Sequence, residues 1–235
     1  MNTAVILGGG SGKRFGAENN KIFTELSDIP IIAHTLQAFE NNLNIDEIIL
    51  VLRKEDKDMI RKVLTRHHFS KLRSVIVGGD ERQDSVSNAI RFLDGKNTSD
   101  DSIVLIHNGA NPLVTQHEID ASIEAVTRFG ASAVGSPVKD TIKLVEDEFS
   151  ISTPDRQNLY AMQTPQCARF WLLRSAHEKA NEERHIGTDD ASLIERLGHK
   201  VKIIPASEEN IKITRPFDLL IAETILNKKK VNRNV

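Results

Sequence analysis

The residues best suited to chemistry open the chain, in the stretch AVILGGGSGKRFGAENNK over residues 4–21. Gly8, Gly9, Gly10, Ser11 and Gly12 follow a short apolar run, and the cations Lys13, Arg14 and Lys21 come after them. A strand running into glycines can turn its backbone N–H groups inward around an anion. Cations beside such a turn match the charge of a nucleoside triphosphate. Two better-known glycine motifs are excluded. A P-loop needs glycine where Leu7 stands, and Ser or Thr where Arg14 stands. The dinucleotide fingerprint fails because no G-x-G here has its third glycine three residues on. A tight strand–helix turn without a ligand is the alternative, and it leaves the cations without a role.

Two more loops of this kind follow apolar runs. Residues 75–77 lead into Gly78-Gly79-Asp80-Glu81-Arg82, and residues 102–106 lead into His107-Asn108-Gly109-Ala110-Asn111-Pro112. In parallel sheets, ligands bind beyond the carboxyl ends of the strands. The loops at 8–14, 78–82 and 107–112 are therefore expected to line one crevice.

The elements that must position them read as follows. Strands are expected at 4–7, 47–52, 75–77, 102–106, 131–137 and 201–205, from short apolar or small-residue runs. Helices are expected at 31–39, from near Asp56, and at 84–93, 115–129, 167–180, 189–197 and 216–226. Asp84, Thr115 with Glu118, and Thr188 are the expected caps, and Gly198 ends its helix. Pro165 is expected to start a new segment, and Lys212 to lie on a short extended piece at 210–214. Residues 138–160 differ in texture: KDTIKLV and FSIST flank a charged turn, which reads as a β-hairpin. Strands alternating with helices predict an α/β, three-layer, mostly parallel sheet.

Composition narrows the function classes. At 235 residues and 39% apolar, the chain can bury one sizeable core. A net charge of −2 gives no general attraction to nucleic acid or membrane, and the basic stretch at 66–74 reads as a solvated face. The single cysteine, Cys167, excludes an intramolecular disulfide framework. With no signal-like start and no run approaching the roughly 20 apolar residues of a membrane span, the expected location is the cytoplasm. His34, His107 and the 66–68 group lack zinc-site spacing.

Taken in order, these residues resemble the polyol-phosphate cytidylyltransferase family. The resemblance rests on LGGGSGKRFG with Lys21, GGDERQDSV at 78–86, VKDTIK at 138–143, QTPQ at 163–166, TDDAS at 188–192 and NIKITRP at 210–216. It implies a Rossmann-like nucleotidyltransferase sheet in one domain over 1–227. It also implies a protruding β-arm at 138–160 that embraces a second subunit, and a polar tail at 228–235. The implied reaction joins CTP to a polyol phosphate, releasing pyrophosphate, with Mg²⁺ on the phosphates. The first acceptor implied is 2-C-methyl-D-erythritol 4-phosphate; ribitol 5-phosphate or another polyol phosphate is the alternative. A non-catalytic nucleotide-binding homologue is the reading from a different class.

Site roles follow from the same resemblance. Gly8, Gly9, Gly10, Ser11 and Gly12 would cradle the triphosphate, and Arg14 and Lys21 would stabilise charge in the transition state. Gly79, Asp80, Arg82 and Ser85 would serve the nucleotide. Arg156, from the arm, and Lys212 would position the acceptor phosphate, with Asn111, Thr141 and Thr164 near the acceptor. By themselves, Arg156 also reads as a surface ion-pair residue and Thr141 as a solvent-facing strand residue. The chain departs from the family's HDxxRP pattern at HNGANP: Asn108 stands at the metal-binding aspartate and Asn111 at an arginine. Asn20 stands where the family has proline before its lysine.

Overall fold

Apolar runs four to six residues long, bounded by polar turns, build the centre of the molecule. The computed structural model describes residues 1–10 and 20–233. The chain starts with β1 (Asn2–Leu7), then a small hairpin of β2 (Glu25–Leu26) and β3 (Ile29–Pro30), and α1 (Ile31–Glu40). β4 (Glu47–Leu52), α2 (Lys57–Arg66), β5 (Leu72–Val77), α3 (Arg82–Gly95), β6 (Ile103–Asn108) and α4 (Gln116–Phe129) follow. The second half holds β7 (Ala131–Pro137), the arm hairpin β8 (Leu144–Glu146) and β9 (Phe149–Ser152), and β10 (Tyr160–Arg169). It closes with α5 (Phe170–Glu182), α6 (Asp190–Arg196), β11 (Lys202–Pro205) and α7 (Pro216–Arg233).

Seven strands form one sheet in the order β11-β7-β10-β6-β1-β4-β5. β1 pairs in parallel with both β4 and β6, β4 with β5, and β7 with β11. Helices cover both faces, so the central strands are apolar on both sides. Ala4 and Ile6 of β1 pack under α1, α2 and α4, while Val5 between them packs under α3, α5 and α6. The same alternation holds in β4, where Ile48 and Leu50 face one layer and Ile49 and Val51 the other. This is the three-layer, mostly parallel α/β sheet expected.

One strand runs against the expectation. β10 lies antiparallel between β6 and β7 and carries the QTPQCAR stretch, where a break at Pro165 and a helix from Cys167 were expected. Pro165 cannot donate to a ladder, but the pairing with β7 shifts register between Met162 and Gln166, and the proline sits inside that step. Cys167 is thus a buried strand residue, and α5 begins only at Phe170.

Three smaller corrections concern ends. Glu81, not Asp84, occupies the cap of α3; Asp84 sits one turn in and accepts the Glu81 N–H at 3.0 Å. Asp189, not Thr188, caps α6, accepting the Ser192 N–H at 2.9 Å. α7 continues past residue 226 to Arg233, into the stretch expected to be a tail. The cap of α4 is as expected, with Thr115 and Glu118 bonded reciprocally, and Gly198 after α6 has φ +85°. The piece at 210–214 forms no ladder strand, although Ile213 N–H donates to Ala110 O at 2.9 Å.

Candidate active site

β1 leads to two neighbours on one side, β4 and β5, and the chain then crosses to β6 on its other side. A crevice opens at such a reversal, beyond the carboxyl ends of the strands. Here it is a cleft of about 820 Å³ lined by Gly8 to Gly10, Lys21, Arg53 to Glu55, Gly78 to Arg82, Ser85, Asn108 and Lys212. All three loops singled out in the sequence reach it. Among the described lining residues, five cations (Lys21, Arg53, Lys54, Arg82, Lys212) outnumber three carboxylates (Glu55, Asp80, Glu81). Such a surplus around exposed backbone amides favours a polyanion.

The glycines are needed for close approach. A Cβ on Gly8 would lie 2.5 Å from Leu52 Cδ2, because the Gly8 N–H donates to Val51 O at 2.7 Å. A Cβ on Gly79 would lie 2.2 Å from Asp84 Cβ. The Gly79 N–H donates to the buried Ser85 Oγ at 3.1 Å, which folds the second loop over the start of α3. Asp80 is exposed at the tip of that loop.

Arg82 is held from behind. Its guanidinium lies 2.6 Å from Asp190, a buried carboxylate that also pairs with His177 Nε2 at 3.0 Å. Burial alone would raise the Asp190 pKa, but the Arg82 charge and the His177 bond hold it down at about 2. His177 in turn meets Ser87 Oγ through Nδ1 at 3.2 Å.

Lys212 stands on a floor of buried amides. Asn210, fully buried, donates to Thr164 O at 3.0 Å and to Glu118 at 3.2 Å, and accepts from Asn111 at 3.4 Å. Beneath it, burial pushes the His107 pKa down to about 4. A hydrogen bond to Asn111 O opposes that shift and the Lys212 charge adds to it. His107 is therefore a neutral ring in the packed floor.

Asn111 was expected near the acceptor; it is 1% exposed and belongs to this floor, not to the cleft wall. Thr164 is also buried, and its hydroxyl accepts from the backbone N–H and the amide of Asn108 at 3.2 and 3.4 Å. Asn108 itself lines the cleft. Thr141 and Arg156 lie exposed on the arm and do not line this cleft; Arg156 donates to Lys139 O at 2.9 Å. Ser11, Gly12 and Arg14 lie outside the described residues.

The fit of a divalent ion can be judged from the donors. Asn108 gives its amide N–H₂ to Thr164, which leaves the carbonyl oxygen as its one ligand. Among the described residues no cluster of three His, Cys, Asp or Glu side chains has metal-holding geometry. That set suits an ion carried mainly by phosphate oxygens, as Mg²⁺ commonly is.

The sequence missed Arg53, Lys54 and Glu55. They directly follow the apolar run of β4, so the strand-end rule that found the other loops applies to them equally; their charges read instead as the opening of a helix. It also missed the Asp190–His177 support, in which Asp190 lies 108 positions from Arg82.

An α/β sheet with a glycine-lined, cationic cleft at its strand reversal marks the class of proteins suited to holding the phosphates of a nucleotide. A family profile described as IspD, 2-C-methyl-D-erythritol 4-phosphate cytidylyltransferase, matches residues 2–228. The chain is 41% identical over 227 residues to the protein of that name from Geobacter metallireducens, covering 96% of this chain and 97% of that one. It is 43% identical over 231 residues to the one from Clostridioides difficile, covering 98% and 95%. The crystal structure of 4-diphosphocytidyl-2C-methyl-D-erythritol synthase from Anaerococcus prevotii superposes with a TM-score of 0.82 at 30% identity, covering 96% of each chain. The chain belongs to the 2-C-methyl-D-erythritol 4-phosphate cytidylyltransferase family. No helix among the described residues is long and apolar enough to cross a membrane.

Proposed function

We propose that this protein transfers the cytidylyl group of CTP to 2-C-methyl-D-erythritol 4-phosphate, releasing pyrophosphate. The observation that carries the reading is the cationic, glycine-lined cleft at the strand reversal, in a chain of this family. An acceptor phosphate oxygen attacks the α-phosphorus; a new P–O bond forms as the bond to pyrophosphate breaks. The attacking oxygen is already anionic at neutral pH, so no general base is needed. The buried His107, its pKa pushed down to about 4, is a weak base, and burial pushes the Cys167 thiol up to about 12, so neither is suited to proton transfer or attack here. Catalysis then consists of aligning two polyanions and stabilising charge at the α-phosphorus.

Gly9 and Gly10, continued by Ser11 and Gly12, cradle the triphosphate through backbone N–H groups; the Gly8 N–H, expected among them, is instead bonded to Val51 O and holds the turn against β4. Lys21 and Arg14 stabilise the charge that builds on the transferred group. Gly79, Asp80 and Ser85 face the cytosine, and Arg82, braced by Asp190, serves the nucleotide. Lys212 draws in the acceptor phosphate. Mg²⁺ would neutralise triphosphate charge, with Asn108 supplying one neutral oxygen.

The working unit in this reading is a homodimer. The arm exposes Ile142, Leu144, Val145, Phe149 and Ile151, and a two-stranded hairpin is marginal without a covering surface. A second copy supplies that surface, and the arm's Thr141 and Arg156 then serve the acceptor in the partner's cleft.

Pyrophosphate release from CTP plus 2-C-methyl-D-erythritol 4-phosphate tests the reading. Lys21→Ala should lower kcat by about a hundredfold or more with a modest change in CTP binding, the pattern of a charge used in the transition state. An unchanged kcat would remove Lys21 from the mechanism.

A further inference from the structure

Arg53 follows β4 directly and lines the cleft beside the glycine turn. A Cβ on Gly9 would lie 3.8 Å from Arg53 Cγ, so the arginine stem runs alongside the second glycine. Its guanidinium is fixed along one edge: Nε donates to Asp56 Oδ2 at 3.1 Å and Nη2 to Oδ1 at 3.0 Å. Asp56 is 4% exposed and immediately precedes α2, yet its carboxylate makes no cap bond to that helix. It takes a third donor instead, Asn20 Nδ2 at 2.8 Å. The same Asn20 nitrogen donates to Gly8 O at 2.6 Å, and Asn20 Oδ1 accepts the Ile22 N–H at 3.4 Å. One buried cluster therefore ties the end of β4 to the first glycine and to the residue just before Lys21.

We propose that Arg53 is a further phosphate-binding residue for CTP, oriented by Asp56, with Asn20 locking that pair to the glycine turn. A buried carboxylate is costly unless well paired. Here it is paired with a guanidinium that remains one-third exposed at the cleft wall. Fixing one edge of the fork leaves the planar group pre-ordered, so less freedom is lost when its remaining N–H groups meet a phosphate. The inference rests on the cytidylyl-transfer reading, because it takes CTP as the ligand.

Calorimetric titration with CTP and with CMP, in the presence of Mg²⁺, separates a phosphate contact from general damage. Arg53→Ala should weaken CTP about tenfold or more, as loss of a charge-assisted contact does, and change CMP by less than about twofold. Arg53→Lys keeps the charge and the stem but not the fork, and should show a smaller CTP-selective loss; it carries the comparison if the alanine variant does not fold. Asp56→Asn should also weaken CTP selectively, since it loosens the fork without changing its size. Equal losses for CTP and CMP, or unaltered CTP affinity in Arg53→Ala and Arg53→Lys, would overturn the proposal. A wild-type protein that fails to bind CTP would overturn the functional reading itself.

Discussion

Asn108 is the side chain on which the chemistry of this cleft departs most from its family's pattern. Its amide N–H₂ is spent on Thr164, so one neutral oxygen is left to the cleft that Asn108 lines. Mg²⁺ prefers anionic oxygens, and an ion held here must lean on the triphosphate and water. Asn108→Asp restores a negative oxygen at nearly constant size. If the carboxylate gains about 1.5–3 kcal/mol on the ion, half-maximal turnover should need roughly ten- to hundredfold less free Mg²⁺. The check is a Mg²⁺ titration of pyrophosphate release for both proteins; superimposable curves would place the ion elsewhere. At this scale the sequence was informative for the glycine-rich and polar loops that directly follow an apolar strand, though not for Arg53 to Glu55 after β4. Gly8, Gly79, Arg82 and Asn108 all reach the cleft for that reason. Position in a loop does not tell wall from floor: the amide of Asn111 is turned into a buried network with Asn210, 99 residues away.

Among the elements, the arm is the one whose proposed function calls for a second chain. Among the described residues its strands pair only with each other, and its large apolar side chains are exposed. If Arg156 works in the partner's cleft, two inactive variants should complement. In a heterodimer of Arg156→Ala and Lys21→Ala chains, one site carries both defects and the other carries neither. Random subunit exchange should then restore about a quarter of wild-type activity, half the dimers being mixed with one good site each. No recovery after demonstrated exchange, or a monomer in solution, would end the shared-site account. The hairpin of β8 and β9 was legible from alternation, and the buried strands from apolar runs. β10 was not, because its polar Gln163 and Gln166 and its proline look like a break. Only the tertiary setting explains them: Gln166 Oε1 accepts the N–H groups of Asp190 and Ala191, which joins the strand to the start of α6.

At the scale of the whole molecule, the sheet order decides where chemistry can occur. Parallel strands on both sides of β1 bring loops from residues 8, 53, 78 and 108 to one edge, and the segment carrying Lys212 closes it. That convergence was readable because β–α alternation and the strand-end rule constrain it together. The buried pairs beneath it, such as Arg82 with Asp190, join residues too far apart in sequence to be read from spacing. In the function proposed, this cleft joins CTP to one particular polyol phosphate. The most direct measurement follows CTP labelled at the α-phosphate, with Mg²⁺ and either 2-C-methyl-D-erythritol 4-phosphate or ribitol 5-phosphate. Label should pass into a CDP-polyol with the first acceptor, one pyrophosphate being released per transfer, and kcat/KM for ribitol 5-phosphate should be lower by at least about tenfold. Equal or better transfer to ribitol 5-phosphate, or CTP bound without transfer to either acceptor, would contradict it.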